Sequence, residues 1–326
     1  MCPTVTYDPC VFCGGTDVLL DCVISLRGKL NASVTRCGGC GLLYVNPVPG
    51  TEEIAQLYDS SYWDPPGRGA QEAHRRYHRL YRFGAAYGRR LARLAPKGRM
   101  LEIGCGLGFF LKGAADHCGW EVEGIDVAEG MAEFAREKLG IPVLQGRFEE
   151  SEFPGESFDL VRAKDVLEHV ARPMEFLAQV RRILRVGGRL ELWLPNGPVD
   201  LAAARRAFRH GTRPQMEAGH LLFISPRVLR AMLEAAGFRV THASVFSFRD
   251  ALKCLGLWRV RRRQSCSPTA PSKPGASLAD WEKPLPERGL KGTLLYARLR
   301  EWRSCHPALP AWAPLGLRQR AIARKV

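Results

Sequence analysis

The sequence predicts an α/β fold with a mostly parallel sheet, helices on both faces and a small cysteine-rich module in front. Two observations lead to this prediction. Between residues 99 and 248, short apolar runs typical of strands alternate with longer segments of helical character, and this alternation is typical of a parallel sheet. The first 40 residues instead contain two Cys-x-x-Cys pairs, which indicate a separate metal-binding unit.

Residues 1–48 are predicted to form a zinc-ribbon-like module. Its cysteines are Cys10 with Cys13 and Cys37 with Cys40, and 23 residues separate the two pairs. Four thiolates in this arrangement suit tetrahedral zinc. A module of this size buries too little apolar surface to be stable alone, so zinc would stabilise it. Free thiols on a residual fold are the alternative.

Residues 49–98 are predicted to link this module to the sheet. A short helix is expected at 51–63, a break rich in proline and glycine at 64–69, and a long helix at 70–95. Four aromatic side chains of the long helix are predicted to pack and to have no chemical role: Tyr77, Tyr81, Phe83 and Tyr87.

A glycine turn after the first strand of the sheet is the strongest functional signal. Apolar residues precede Gly104, Gly106 and Gly108, and a helix is predicted after the last of them. A strand, a glycine turn and a helix N-terminus form a cradle for a nucleotide-like ligand. A second strand ends at Asp126, about 20 residues further on, where a carboxylate can accept hydrogen bonds from ribose hydroxyls. A tight turn without a ligand is the alternative.

The predicted core, residues 99–248, continues with the same alternation. A basic helix and loop at 199–219 leave the carboxyl end of a strand and should overhang the site. A helix at 225–237 is capped by Ser225 and ends at Gly237. Further strands are predicted at 141–148, 157–164, 186–196 and 238–248.

The carboxyl-terminal quarter carries most of the positive charge. The formal net charge is +15, and residues 251–326 contain sixteen Lys and Arg against four Asp and Glu, a net of +12. Such a region favours contact with an anionic membrane, nucleic acid or a phosphorylated substrate, and a solvated basic surface is the alternative. Residues 249–314 are predicted to be a basic, partly disordered insertion. Residues 315–326 are preferred over 292–298 as the last strand.

Together these motifs resemble the class I S-adenosylmethionine (SAM)-dependent methyltransferases over roughly residues 75–248. The resemblance also rests on Phe-Asp-Leu-Val at 158–161, Leu-Glu-His-Val at 167–170 and Arg-Ile-Leu-Arg-Val-Gly-Gly at 182–188. It implies a Rossmann-like sheet of seven strands with the last one antiparallel. The amino-terminal module likewise resembles a zinc-binding unit found before many bacterial small-molecule and sugar methyltransferases.

The resemblance implies SAM as the cofactor and assigns residues to it. Glu102 would lie near the methionine amine, Asp126 at the ribose, Phe148 at the adenine, and Lys164 at the methionine end through its backbone. The implied cofactor-binding set is Glu102, Gly104, Cys105, Gly106, Gly108, Asp126, Val127, Phe148 and Lys164.

Three side chains after the fourth strand are candidates for acid–base or metal chemistry. Asp165, Glu168 and His169 are spaced for one face of a helical turn. They can bind a divalent cation, or His169 can act as a general base. The segment resembles the ubiquinone-pathway O-methyltransferases, in which matching positions line a metal site near the acceptor phenol. His220 is a second candidate base, and bonding to neighbouring backbone is the alternative for these residues.

Three functions follow from these predictions. The first is SAM-dependent methyl transfer, to oxygen, on a small-molecule or glycan acceptor of anionic character in a biosynthetic tailoring pathway. The second is an RNA base methyltransferase, which is disfavoured because no catalytic-cysteine or Asn-Pro-Pro-Tyr-like motif follows the fourth strand. The third is a SAM-binding regulator without turnover. An odd number of cysteines, eleven, and the lack of a signal peptide predict a cytoplasmic protein, membrane-peripheral if its basic region contacts lipid.

Overall fold

The computed structural model describes residues 7–26, 30–50, 52–54, 70–209, 219–246 and 317–326. The predicted insertion at 249–314 and the alternative last strand at 292–298 lie outside these residues. Of the short helix predicted at 51–63, one turn at 52–54 is described. Among the described helices, none combines the length and the apolar character that crossing a bilayer requires.

The strands and helices follow the predicted alternation. The strands are β1 (Val18–Leu26), β2 (Leu30–Cys37), β3 (Leu43–Val45), β4 (Arg99–Ile103), β5 (Glu121–Asp126), β6 (Val143–Gln145), β7 (Phe158–Lys164), β8 (Leu184–Pro195), β9 (Leu222–Phe223), β10 (Phe238–Phe246) and β11 (Arg318–Lys325). The helices are α1 (Ala70–Leu94), α2 (Phe109–Ala115), α3 (Glu129–Leu139), α4 (Pro173–Ile183), α5 (Gly197–Arg209) and α6 (Pro226–Ala235), with 3-10 turns at Phe148–Glu150 and Leu167–His169.

Seven of the strands form the central sheet, in the order β10-β11-β8-β7-β4-β5-β6. Strands β6, β5, β4, β7 and β8 are parallel to one another, and β11 lies antiparallel between β8 and β10. The predicted α/β fold is therefore confirmed, and β11 lies within residues 315–326, the position preferred for the last strand. The carboxyl ends of the central strands meet at one edge of the sheet, where ligands bind in such folds.

Helix α1 lies directly on α2 because small residues face the neighbouring backbone. A Cβ at Gly84 would lie only 2.0 Å from the Phe110 carbonyl oxygen. The aromatic side chains of α1 fill the remaining space, as predicted. Tyr77 stacks on Phe109 with ring centroids 4.7 Å apart, and Tyr87 packs against the Phe110 ring at 5.3 Å.

A row of buried charges crosses the sheet beneath α1. It alternates in sign across four adjacent strands, from Glu102 through Arg162 and Glu191 to Arg320. The Tyr87 hydroxyl of α1 donates to Glu191 Oε2 at 2.7 Å. A buried charge destabilises a fold strongly unless it is paired, so this alternation favours one register of the four strands.

The amino-terminal module is joined to the core through a second sheet, ordered β1-β2-β3-β9. Its last strand, β9, comes from the core and pairs antiparallel with β3. Helix α5 packs against β1, where Arg205 Nη1 lies 3.1 Å from Asp21 Oδ2. The segment predicted at 1–48 therefore shares its sheet with the core. Helix α5, which belongs to the insert predicted to overhang the site, lies on this module, where its Arg205 is ion-paired with Asp21.

Candidate functional site

The glycine turn joins β4 to α2 and is tied to the end of β5. Gly104, Gly106 and Gly108 have φ values of 69°, 56° and 74°, which favour glycine. The Asp126 carboxylate, 5% exposed, accepts hydrogen bonds from the Gly106 N–H at 2.7 Å and the Ala128 N–H at 3.0 Å. Each of its oxygens retains a second lone pair. The carboxylate therefore both shapes the turn and offers acceptors to a ligand diol.

Glu102 lies beside this turn, one residue before the end of β4. Its Oε1 is ion-paired with Arg162 of β7, while its Oε2 is buried and has no hydrogen-bond partner among the described residues. Burial raises the pKa of Glu102 to about 7, although the Arg162 and Lys164 charges oppose this. A buried carboxylate oxygen without a hydrogen-bond partner destabilises the fold. A cationic donor on a ligand would remove that destabilisation.

The side chains of two other predicted cofactor residues, Phe148 and Cys105, point into the core or toward β5. The Phe148 ring is 3% exposed and packs in the core against Phe153 and Phe176. The ring that was predicted to contact adenine is therefore not exposed in this structure. The Cys105 side chain points toward β5, where its Sγ would lie 2.5 Å from a Cβ at Gly124. The Cys105 backbone lies within the glycine turn, between Gly104 and Gly106.

Apolar surface near the glycine turn comes instead from Val127 and Met131. Val127 is 49% exposed directly after Asp126. Met131 of α3 faces the turn, since its Sδ would lie 3.8 Å from a Cβ at Gly106. Sequence reasoning included Val127 but missed Met131. Its place on an amphipathic helix did not indicate that its side chain would face the glycine turn.

Lys164 is the last residue of β7, and Asp165 directly after it contacts β11. Lys164 Nζ lies 2.9 Å from Asp165 Oδ2, and Arg318 Nη1 lies 2.5 Å from Asp165 Oδ1. Although burial opposes it, these two cations hold the pKa of Asp165 well below its usual range. Asp165 has a φ of 57° and precedes the helical turn. The prediction that it shares one helical face with Glu168 and His169 is therefore wrong.

His220 takes the third place in the cluster that Asp165 was predicted to complete. Glu168, His169 and His220 offer ligand atoms that all lie within 4.8 Å of one another. Glu168 is 1% exposed, and neither of its carboxylate oxygens has a hydrogen-bond partner among the described residues. Burial raises the pKa of Glu168 to about 8, helped by Asp165 and opposed by His220. Such a set can exchange a proton or hold a divalent cation.

Both histidines of this cluster are oriented through their Nδ1 atoms. His220 Nδ1 lies 2.6 Å from Asp200 Oδ2 of α5, and His169 Nδ1 lies 3.0 Å from the Gly219 carbonyl oxygen. Burial lowers the pKa of His220, but the Asp200 carboxylate outweighs burial and holds that pKa above its usual value. His220 Nε2 faces Glu168 Oε1 at 4.0 Å. The backbone bond expected for a structural histidine is present at His169.

The backbone around the cluster is fastened to both the core and the amino-terminal module. The Leu221 N–H donates to the Glu168 carbonyl, and the Val45 N–H of β3 donates to the Leu221 carbonyl, each at 2.8 Å. Val166 also links the cluster to the glycine turn, because its Cγ2 would lie 2.7 Å from a Cβ at Gly104. The two candidate sites are therefore neighbours at one edge of the sheet.

The four predicted zinc ligands converge at the tip of the amino-terminal module. Their sulfur atoms lie within 4.8 Å of one another, with 3.6 Å between those of Cys10 and Cys40 and 3.5 Å between those of Cys13 and Cys37. Tetrahedral zinc with bonds of about 2.3 Å places its sulfur ligands roughly 3.8 Å apart. The Gly14 N–H donates to the Cys10 carbonyl at 2.8 Å, and the Gly41 N–H donates to the Cys37 carbonyl at 2.9 Å. The donor set and spacing fit zinc.

Sequence reasoning also missed Asp200 and Arg318, which orient His220 and Asp165. Neither residue lies in a recognisable motif, and each is distant along the chain from the group that it contacts. The available signal was weak: Asp200 is an acid within an otherwise basic predicted helix.

The comparisons with known proteins agree with this geometry. The model of a family described as "Methyltransferase domain" matches residues 73–243, just over half of the chain. An uncharacterised protein of Methanocaldococcus jannaschii is 29% identical over 161 residues, covering 49% of this chain and 74% of that protein.

Two relatives with named activities also match. A ubiquinone biosynthesis O-methyltransferase of Dinoroseobacter shibae is 32% identical over 203 residues, covering 57% of this chain and 82% of that protein. An aklanonic acid methyltransferase of Streptomyces sp. strain C5 is 31% identical over 190 residues, covering 55% of this chain and 80% of that protein.

Proposed function

The chain belongs to the class I SAM-dependent methyltransferases, and from this premise we propose that it methylates a hydroxyl oxygen of a small-molecule or glycan acceptor in a biosynthetic tailoring pathway. The observation that carries the proposal is the buried cluster of Glu168, His169 and His220 beside the glycine turn. A hydroxyl must lose its proton as it is methylated, and this cluster contains groups that accept one.

On the donor side, the residues around the glycine turn would bind and orient SAM. SAM supplies a methyl group on a positively charged sulfonium. The free lone pairs of Asp126 would accept from the ribose hydroxyls. Glu102 Oε2, buried and without a partner among the described residues, would accept from the methionine amine. Alignment of donor and acceptor contributes most of the catalysis in such a displacement.

On the acceptor side, we assign His220 as the proton acceptor. During transfer of the methyl group, the His220 imidazole would accept the proton that the acceptor hydroxyl loses. Asp200, 2.6 Å from Nδ1, would fix the ring and stabilise the imidazolium. The positive charge that SAM would supply on its sulfonium is matched by the proton left on His220, so charge and atoms balance.

The same cluster would also suit a divalent cation. The ligands would be Glu168, whose oxygens lack hydrogen-bond partners in the described chain, and one nitrogen from each of His169 and His220. A cation held there would lower the pKa of an acceptor hydroxyl. The Asp200 carboxylate and the Gly219 carbonyl would then orient the two histidine ligands through hydrogen bonds to their Nδ1 atoms.

We further propose that the four-cysteine cluster holds a structural zinc ion in a cytoplasmic protein with reduced thiols. The basic carboxyl-terminal quarter would allow contact with an anionic acceptor or an anionic membrane surface. The named relatives support a small-molecule acceptor, since one acts in ubiquinone biosynthesis and one is named for aklanonic acid.

The test supplies SAM with a labelled methyl group to the purified full chain together with separate pools of polar metabolites, lipids and RNA. We expect wild type to transfer label to the polar or lipid pool. The His220→Asn variant should transfer none, although it should still bind SAM. A second reaction set with EDTA, and then with added Mg²⁺, measures whether the cluster acts with a cation.

Two results would overturn the proposal. Label confined to RNA would assign the chain to RNA base methylation. SAM binding with no label in any pool, at several protein concentrations, would assign it to SAM-dependent regulation without turnover.

A further inference from the structure

A second charged site lies at the end of the sheet opposite the glycine turn. Three arginines occupy directly paired positions on adjacent strands, because Arg239 of β10 faces Arg324 of β11, and Arg324 faces Arg189 of β8. Side chains at paired positions share one face of a sheet. Together with Arg90 of α1 they line a cleft of about 220 Å³, here called the arginine cleft, whose lining is completed by Thr241 and Ile322.

This arrangement is unfavourable without an anion. Like charges directly opposite each other on neighbouring strands destabilise a sheet. Within the described part of the chain, no ion pair joins an acid to any of the four guanidiniums. Glu191, two residues further along β8 than Arg189, is already engaged by Arg320, Tyr87 and Trp193.

The cleft is open to solvent. Arg189 is half-buried, and the other three arginines are exposed. An anion entering the cleft would therefore meet four guanidiniums that form no ion pair with a described acid.

We propose that the arginine cleft binds the diphosphate group of a free small molecule, such as a nucleoside diphosphate. The planar guanidinium fork matches phosphate oxygens in pairs, so several converging arginines suit two adjacent phosphates. The cleft lies between a helix and the sheet, which favours a compact ligand over a flat membrane or a nucleic-acid strand. It is distinct from the methyl-transfer site, because Arg324 lies at the amino end of the parallel strands.

The test uses calorimetry of the full chain with inorganic pyrophosphate and with ADP as probes. Wild type should bind both, and the double variant Arg189→Gln/Arg324→Gln should lose roughly tenfold or more in affinity, since each guanidinium makes charge-assisted hydrogen bonds. Arg230→Gln on α6 removes one positive charge outside the cleft and should bind like wild type. SAM binding should be unchanged in every variant.

A melting curve separates loss of the site from loss of the fold. Without ligand, the double variant should melt at the wild-type temperature or above it, because a like-charge repulsion is removed. Absence of pyrophosphate and ADP binding by wild type, or equal binding by the double variant, would overturn the proposal. Binding only to anionic-lipid vesicles or to an RNA oligomer, lost in the double variant, would also overturn it and assign the cleft to that macromolecule.

Discussion

The proposed donor and acceptor sides of this molecule are built in different ways. The donor side lies within one βαβ unit, since Glu102, the glycine turn and Asp126 span 25 residues. The acceptor side gathers Glu168 and His169 from the 3-10 turn after β7, Asp200 from α5 and His220 from the segment before β9. One side is therefore a local structure of the core, and the other is assembled by tertiary contacts.

This difference gives the amino-terminal module a role in the site. The backbone bond from β3 to Leu221 and the pairing of β3 with β9 fix the residues that flank His220. Helix α5, which carries Asp200, also rests on the module through Arg205 and Asp21. We therefore expect the module to control the acceptor side, while the donor side should depend on the core alone.

The largest expected effect comes from Cys37→Ser/Cys40→Ser. Wild type should contain about one zinc per chain by elemental analysis, and the double variant should contain none. Because bound zinc stabilises such modules by several kcal/mol or more, the melting temperature should fall and methyl transfer should drop at least about 100-fold. SAM affinity, measured by calorimetry, should stay within about threefold of wild type, which is under 1 kcal/mol of binding free energy.

Cys22→Ser is the matched control, since Cys22 is half-buried on β1 outside the cluster. Wild type that contains no metal would contradict the zinc assignment. A double variant that loses SAM binding as severely as methyl transfer would show that the two sides are not separable.

The next effect isolates the acceptor side. His220→Asn should lower kcat by about 10²- to 10⁴-fold, the usual contribution of a general base, and Asp200→Asn should lower it less, because Asp200 acts only through His220. Neither change should alter SAM affinity. The control is His117→Asn, a histidine that bonds to the Gly113 carbonyl away from both sites. A His220 variant with wild-type kcat would remove this residue from the mechanism.

The contrast also explains what could be predicted from the sequence. The glycine turn, Asp126 and the alternation of strands and helices were predictable because each signal lies within a short stretch. The terminal strand β11 was predicted despite its distance, because the resemblance implied an antiparallel last strand. The Asp165 error arose because spacing alone cannot reveal the left-handed backbone at that residue. The burial of the Phe148 ring among Phe153 and Phe176 could not be predicted either, because it depends on tertiary packing.

On the donor side, Asp126→Asn should weaken SAM binding by about 10- to 100-fold, the usual cost of losing charge-assisted hydrogen bonds in a buried site. The fold should persist, because the asparagine carbonyl can still accept from one of the two backbone N–H groups that Asp126 holds. At saturating SAM, kcat should change little. Glu133→Gln, an exposed carboxylate on α3, is the control. Unchanged affinity in Asp126→Asn would refute the ribose assignment.

The smallest effect is a pH dependence that belongs to the donor side alone. Burial raises the pKa of Glu102 to about 7 from its usual 4.5, so the free protein is stabilised by the protonated carboxyl below about pH 4.5 and loses that contribution as pH rises through 7. The ammonium of SAM prefers the ionised carboxylate. SAM affinity should therefore rise about five- to tenfold between about pH 6 and about pH 7.5, as the carboxyl ionises. In Glu102→Gln the affinity should be lower at pH 7.5 and nearly independent of pH across this interval. Calorimetry at three pH values measures both proteins, and an equal slope in both would assign the titration to another group.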